Sequence, residues 1–371
     1  MSGYLVTGAT GFVGGALVLE LLQRTDRPVV CLVRGTAQAP WIRLERTLEH
    51  AAAAYGYRPG FVAAHRDRIQ VAAGDLDDIA LPAGVTIEEV WHCAASLKFD
   101  DKDRAEIFGT NVGGTQRVLE TAERLGAGVF HYVSTAYVAG RRTGPIAEDH
   151  MGGAVDTNNL YEQSKVDAEQ LVAATAQRYR IWRPSIVVGH SRTLAATAFS
   201  GMYGVIRELA RFADLVHAAG DPVLERHSLR LRADPEGTLN FIPVDYAVGR
   251  AVELSLSGVD AQVVHLTNEL APTVGECFEL LFDELRLSQP TYVGPTSQLE
   301  RLDSLVDSRL SFYGSYLSGP KQFQQRTGAA YGGVLRYEFD RDTLLQYVRW
   351  YLRHLQTGLQ PGVRVPNPVR G

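Results

Sequence analysis

Cysteine is nearly missing from this chain. Cys31, Cys93 and Cys277 are the three in 371 residues, and no two stand at a spacing used by a disulfide framework or a zinc site. That scarcity suits a reducing compartment, so a cytoplasmic protein without a metal is expected. Lysine is almost as rare: Lys98, Lys102, Lys165 and Lys321 are the only ones among 37 basic side chains. Base composition accounts for the bias, and it makes a lysine at a chemically meaningful position worth following. No apolar run approaches the roughly 18 residues of a membrane span, and no basic leader precedes the first strand, so a cleaved signal is not expected. The net charge of −5 offers no basic footprint for nucleic acid. Repeats and low-complexity linkers are lacking too. What remains is 45% hydrophobic and long enough to bury a large core, which predicts one big α/β domain and a smaller lobe.

The stretch GYLVTGATGFVGG, residues 3–15, organises the rest. Tyr4, Leu5 and Val6 form a short apolar run suited to a parallel strand covered on both faces. Gly8, Gly11 and Gly14 follow at spacing three. Glycine there lets the backbone turn sharply, approach a pyrophosphate and pack the next helix, whose free N–H groups can hold the charge, close to the strand. Val13, Ala16, Leu17 and Leu21 supply that helix's apolar stripe. The spacing departs from the commoner G-x-G-x-x-G, and a glycine triplet alone is equally a plain strand-to-helix turn. The strand before it and the helix after it favour a dinucleotide site.

Residues 28–34 read as a second strand. An acid at its end suits the ribose hydroxyls of NAD, whereas a basic residue suits the 2′-phosphate of NADP. Arg34 stands there, so NADPH is the expected cofactor. Residues 39–66 form an insertion containing an alanine-rich helix that Arg58-Pro59-Gly60 stops. A third strand over 68–74 leads into Gly74-Asp75-Leu76, where Asp75 is expected to accept from an adenine amino group and Leu76 to cover its face. The fourth, 89–95, ends in Ala94 and Ala95, small enough for a cofactor to pass close to the backbone. Residues 102–124 read as one amphipathic helix carrying Asn111, with a surface position and a strand-bridging one both open.

The fifth strand, 129–135, delivers Ser134 and Thr135 to the carboxyl edge, where open parallel sheets bind ligands. Tyr161 and Lys165 follow on one helix face. An ammonium beside a phenol favours the phenolate, so the pKa of Tyr161 is expected to fall and make it a proton donor; alone, such a pair is more often structural. A sixth strand over 180–189 brings Pro184 and Ile186 as walls for a nicotinamide. From His190 the pattern changes to a mixed helical stretch. Ser228, Arg230 and Arg232 alternate with leucines on a strand whose basic face is either an exposed edge or a recognition surface for a phosphate-bearing carrier. Strands at 238–244 and 263–267 flank a helix over 246–256. The remainder is mostly helical and ends in a proline-rich tail.

Taken together, Gly8-x-x-Gly11-x-x-Gly14, Gly74-Asp75-Leu76, Ala94-Ala95, Ser134-Thr135 and Tyr161-x-x-x-Lys165 resemble the extended short-chain dehydrogenase/reductase family, over about residues 3–245. The resemblance implies a Rossmann-type doubly wound parallel sheet, residues 1–190 with 238–268 returning to it. Residues 191–237 and 269–371 would form a smaller, mainly helical substrate lobe. By resemblance Gly8, Thr10, Gly11, Phe12, Val13, Arg34, Asp75, Leu76, Ala94, Ala95, Pro184 and Ile186 would line the cofactor. Thr135 would polarise a carbonyl, with Ser134 as the alternative register, Tyr161 would donate the proton, and Lys165 would hold the nicotinamide ribose and tune Tyr161. The insertion, Leu32-Val33-Arg34, VSTAYVAG and Gly189-His190-Ser191-Arg192-Thr193 look most like thioester reductase domains and fatty acyl-CoA reductases, with His190 in place of that branch's acid. The implied reaction is NADPH-dependent reduction of an acyl thioester, on coenzyme A or a carrier protein, to aldehyde or alcohol. A nucleotide-sugar epimerase or dehydratase, a hydroxysteroid-type dehydrogenase and a non-catalytic cofactor sensor are the alternatives.

Overall fold

The apolar run after Gly3 forms β1 (Ser2–Thr7), buried on both faces. In the computed structural model, which describes residues 2–358 apart from 36, 37, 77, 80, 83, 153, 177 and 318, it sits inside a parallel sheet. The partners are β2 (Val29–Val33), β3 (Ile69–Asp75), β4 (Thr86–His92), β5 (Val129–Val133), β6 (Tyr179–Pro184) and β7 (Val263–Leu266), in the order β7-β6-β5-β4-β1-β2-β3. A two-residue strand, Asp78–Ile79, closes the β3 edge antiparallel. The expected proline-rich tail lies outside the described residues.

Side chains alternate between two cores because successive strand residues face opposite ways. Tyr4 and Val6 pack under α1 (Phe12–Arg24), α2 (Ala39–Ala54) and α5 (Val244–Leu256), while Leu5 and Val30 pack under α3 (Gly114–Arg124) and α4 (Leu160–Thr175). Leu44 and Leu48 are fully buried and dock α2; each such leucine contributes roughly 2 kcal/mol.

Three expectations change. The helix read over 102–124 is broken: a 3₁₀ turn at Asp101–Asp103 and a short helix, Arg104–Phe108, lead into a π-turn, Gly109–Gly113, before α3 begins. The strand read over 180–189 divides at Ser185. Ser185 N–H donates to the Leu266 carbonyl and Ile186 N–H to that of Asn240, so the chain changes partners and Ile186–Val188 pairs with Phe241–Pro243 instead. The stretch Lys321–Phe323 is a strand, parallel to Gly144–Ile146.

The chain divides into two compact units. The first comprises Met1–Ala198, Asn240–Ala271 and Pro320–Tyr337. It holds the sheet, and it recovers Pro320–Tyr337, expected in the lobe, because of the Lys321–Phe323 pairing. The second comprises Phe199–Leu239, Pro272–Gly319 and Glu338–Gly371. Its helices Met202–Ala219, Val274–Glu284, Arg301–Leu310 and Arg341–Gly358 accompany the parallel pair Arg230–Arg232 and Thr291–Val293. The basic face of that pair is occupied internally. Arg230 donates to the Gln298 carbonyl, and Arg232 to Ser297 O and to the Asp307 carboxylate, so the edge reading fits better than phosphate recognition. Among the described residues no helix is long and apolar enough to cross a membrane.

Candidate active site

β1 ends in a turn that only glycine fits. Gly8 has φ +71°, and a Cβ there would lie 2.7 Å from the Ala94 nitrogen. Gly14 faces the Gly8 carbonyl so closely that a Cβ would collide with it. Gly11 N–H donates to Gly8 O, closing the turn, and Gly11 caps α1 with no side-chain acceptor and no acid in the first turn. Among the described residues no side chain caps the N-terminal amides of α1, flanked by Thr10, Phe12 and Val13, which leaves them to an anion. A cradle that a Cβ would fill, at the amino end of a helix, fits a dinucleotide pyrophosphate.

The other strand ends lie along the same carboxyl edge. Arg34 follows β2, exposed and without an ion-pair partner among the described residues. Asp75 turns its Oδ1 to the Leu76 amide at 2.7 Å, and Leu76 leans on α3, where a Cβ on Gly114 would touch its Cδ1. β4 stops at His92 rather than Ala95, leaving Ala94 and Ala95 as irregular backbone. Ser134 and Thr135 follow β5, both buried. Ser134 Oγ has no hydrogen-bond partner among the described residues. Thr135 Oγ1 accepts the Tyr137 N–H at 3.2 Å, so its own proton is available to an acceptor. Pro184 closes β6, and Ile186 is buried beyond the break.

α4 carries the phenol and the amine. Asn159 caps it, accepting the Glu162 N–H at 2.9 Å, and Tyr161 stands in the first turn. Lys165 is buried: Nζ donates to the Val133 carbonyl at 2.7 Å and lies 4.3 Å from the centre of the Tyr132 ring. Burial pulls Lys165 down to about 8, against the carboxylate of Glu169. The expected fall at Tyr161 is not what this arrangement gives. The amine is engaged by Val133, and burial, with Glu162 adding to it, pushes the phenol above its ordinary range. Tyr161 therefore stays protonated at neutral pH.

Sequence reading missed what fixes these groups. Arg183 and Glu169 form a fully buried pair, Nε to Oε1 at 2.9 Å and a second bond at 2.6 Å, that ties α4 to β6. Asn111 is buried inside the π-turn, not on the surface. Its Oδ1 accepts Ser96 N–H at 2.7 Å, and its Nδ2 donates to Ser96 O at 3.0 Å and to Ser164 Oγ at 2.9 Å, joining the loop after β4 to α4. A lone asparagine on a helix carries no signal of this. The break in helical bonding that admits it is set by packing.

Residues 6–251 match a family described as male sterility protein. A linear gramicidin synthase of Brevibacillus parabrevis is 30% identical over 267 residues, covering 68% of this chain and 5% of that protein. The chain spans a small fraction of the first curated relatives it matches, 5% and 7% of their lengths. Among solved structures, the terminal R domain of the myxalamid PKS-NRPS pathway superposes with a TM-score of 0.72 at 23% identity, over 96% of this chain and 92% of that one. A thiolation-reductase di-domain from an archaeal non-ribosomal peptide synthetase superposes with a TM-score of 0.73 at 17% identity, over 96% and 76%. These similarities bear out the Rossmann-type fold.

Proposed function

The chain belongs to the male sterility protein family, an NAD-binding branch of the extended short-chain dehydrogenases/reductases, and from that premise we propose that it is an NADPH-dependent reductase of acyl thioesters. The observation that carries the reading is the buried Lys165 amine, one helical turn from Tyr161, donating to the Val133 carbonyl at the strand end that leads into Thr135, in the same unit as the glycine turn. The relatives named as a gramicidin synthase and as reductase domains support the thioester class. An acyl group carried on coenzyme A or on a carrier protein is the substrate class, and the cysteine-poor composition supports a cytoplasmic setting.

The residues would hold the cofactor as follows. The Gly8–Val13 turn takes the pyrophosphate, Arg34 the 2′-phosphate, Asp75 and Leu76 the adenine, Ala94 and Ala95 the passing backbone face, and Pro184 and Ile186 the nicotinamide, with Lys165 on its ribose. When bound, the nicotinamide supplies hydride. The chain's own residues manage the charge: Thr135 donates to the thioester oxygen as negative charge builds there, and Tyr161 passes its phenolic proton to that oxygen before the thiol departs. The Lys165 ammonium, held by the Val133 carbonyl, would keep the nicotinamide ribose in place beside the phenol.

Loss of NADPH fluorescence on adding acyl-coenzyme A or acyl-carrier substrates tests the reading. Turnover is expected with thioesters, and protein that binds NADPH yet reduces none of them would refute it. Arg34→Asp is expected to weaken NADPH at least about tenfold more than NADH, since a charged partner of the 2′-phosphate is lost. Equal losses for both cofactors, measured by fluorescence titration, would remove Arg34 from that role.

A further inference from the structure

His92, the last residue of β4, is completely buried and takes no part in the proton chemistry above. Its ring meets two threonine hydroxyls: Nδ1 lies 2.7 Å from Thr7 Oγ1 and Nε2 lies 3.1 Å from Thr115 Oγ1. Neighbouring bonds fix which atom donates. Thr115 gives its one hydroxyl proton to the Asn111 carbonyl at 2.6 Å, so toward His92 it can only accept, and Nε2 carries the hydrogen. Nδ1 of the neutral ring is then an acceptor, and the Thr7 hydroxyl donates to it. Thr7 Oγ1 in turn accepts the Ala94 N–H at 3.3 Å. Every donor in the series points the same way.

A second proton on the ring would break that series. Around His92 stand Thr7 from β1, Thr115 from α3, the rings of Phe130 and Tyr132 from β5, and the Lys165 amine from α4. No carboxylate is among them. Burial, with Lys165 adding to it, pushes His92 down to about 3, which agrees with the neutral ring the hydroxyls demand.

Both ends of the series touch backbone that matters. The Ala94 peptide is what the Gly8 turn rests on, 2.7 Å from where a Cβ on Gly8 would be. At the far end, the residue whose carbonyl receives Thr115 also grips Ser96 by N–H and C=O with its side chain. Segment 94–96 is thus held at both ends by one helical turn, through His92 on one side and through the amide of Asn111 on the other.

We infer that His92 is a positioning residue for cofactor binding. As the neutral Nε2–H tautomer it links the Ala94 amide to the Asn111 carbonyl through Thr7 and Thr115, and so fixes the surface that segment 94–96 and the glycine turn present. The inference rests on reading that turn as a nicotinamide-dinucleotide site.

Two measurements on the full chain test it. In ¹⁵N-labelled protein the His92 ring is expected to show an unprotonated Nδ1 and a protonated Nε2, unchanged from pH 5 to pH 9. Titration in that range, or the opposite tautomer, overturns the assignment. Thr7→Val keeps the size of the side chain and removes the hydroxyl, and His92→Phe keeps a ring and removes both nitrogens. Each is expected to raise the Kd for both NADPH and NADH about tenfold, the effect of one hydrogen bond of ordinary strength, at a temperature where circular dichroism shows the variant fully folded. A general structural role would lower the melting temperature and leave Kd unchanged in folded protein, and that result refutes the inference. Should His92→Phe not fold, Thr7→Val decides. Wild-type protein that binds no nicotinamide cofactor would sink the parent reading and the positioning role with it, while the tautomer signal still reports on the hydrogen-bond series alone.

Discussion

Tyr161 and Lys165 divide one task by environment. The phenol is raised by burial and keeps its proton; the amine is lowered by the same cause to about 8. A Tyr161→Phe variant removes only the transferable proton, so turnover is expected to fall by at least about a hundredfold while NADPH affinity, followed by fluorescence titration, stays within a factor of two or so. Retained turnover would take Tyr161 out of the chemistry. The lysine sets the pH limit. It is charged below its folded pKa and neutral above it, so kcat/KM is expected to decline as pH rises through about 8. A rate profile flat to pH 9.5 would show that the charge of Lys165 is not required. The pair itself was legible at spacing four, but the direction of the Tyr161 shift was not. Spacing says that two side chains share a face, whereas which acceptor the amine finds, here Val133 O, depends on a strand 32 residues away.

The elements owe their order to contacts of two kinds, one readable and one hidden. Fully apolar runs announced the central strands, because a strand covered on both faces has no polar side to show. Within them lies a polar stack that composition conceals. His131 lies against Trp91 with ring centres 4.0 Å apart, accepts the Trp182 indole N–H on Nδ1 at 3.2 Å and donates from Nε2 to Glu89 at 3.0 Å. That bonding requires a neutral ring, and burial lowers the His131 pKa accordingly. Burial opposes ionisation of Glu89, yet His131 and the Arg27 guanidinium at 2.8 Å overcome it and hold the carboxyl at about 2. Since the folded pKa lies below the ordinary 4.5, this carboxylate stabilises the fold fully above pH 4.5 and loses its contribution as pH falls toward 2. Glu89→Gln is expected to lower stability at pH 7 by roughly 2–4 kcal/mol and to flatten the acid limb between pH 5 and 2. Urea melts at several pH values check both effects, and parallel acid limbs for the two proteins would contradict the assignment.

At the scale of the whole molecule, the first unit is assembled from three separated stretches of chain. Glu148 shows why the last one counts: its Oε1 accepts the His265 N–H and its Oε2 the Thr327 N–H, both at 2.7 Å. Together with the Lys321–Phe323 strand, this joins residues far apart in sequence through backbone groups. Such pairings leave little trace in a sequence, because three-residue strands carry no periodicity. A chain ended after residue 271 would lose the Thr327 bond and the Lys321–Phe323 pairing and expose Ile146. Its melting temperature is expected to drop by roughly 5 °C or more, read by circular dichroism, and unchanged melting would show that the third stretch is dispensable to the first unit.

The π-turn at Gly109–Gly113 has a last consequence, for insertions and deletions. A π-turn holds one more residue than the α-turn it interrupts. Excising any single position within it would let continuous α-helix run from Arg104 into α3. The flanking helices would keep their facing, because an α-turn covers the same arc with one residue fewer, but the wide turn that seats the Asn111 amide against Ser96 would be gone. This short span therefore has its length fixed more strictly than its letters.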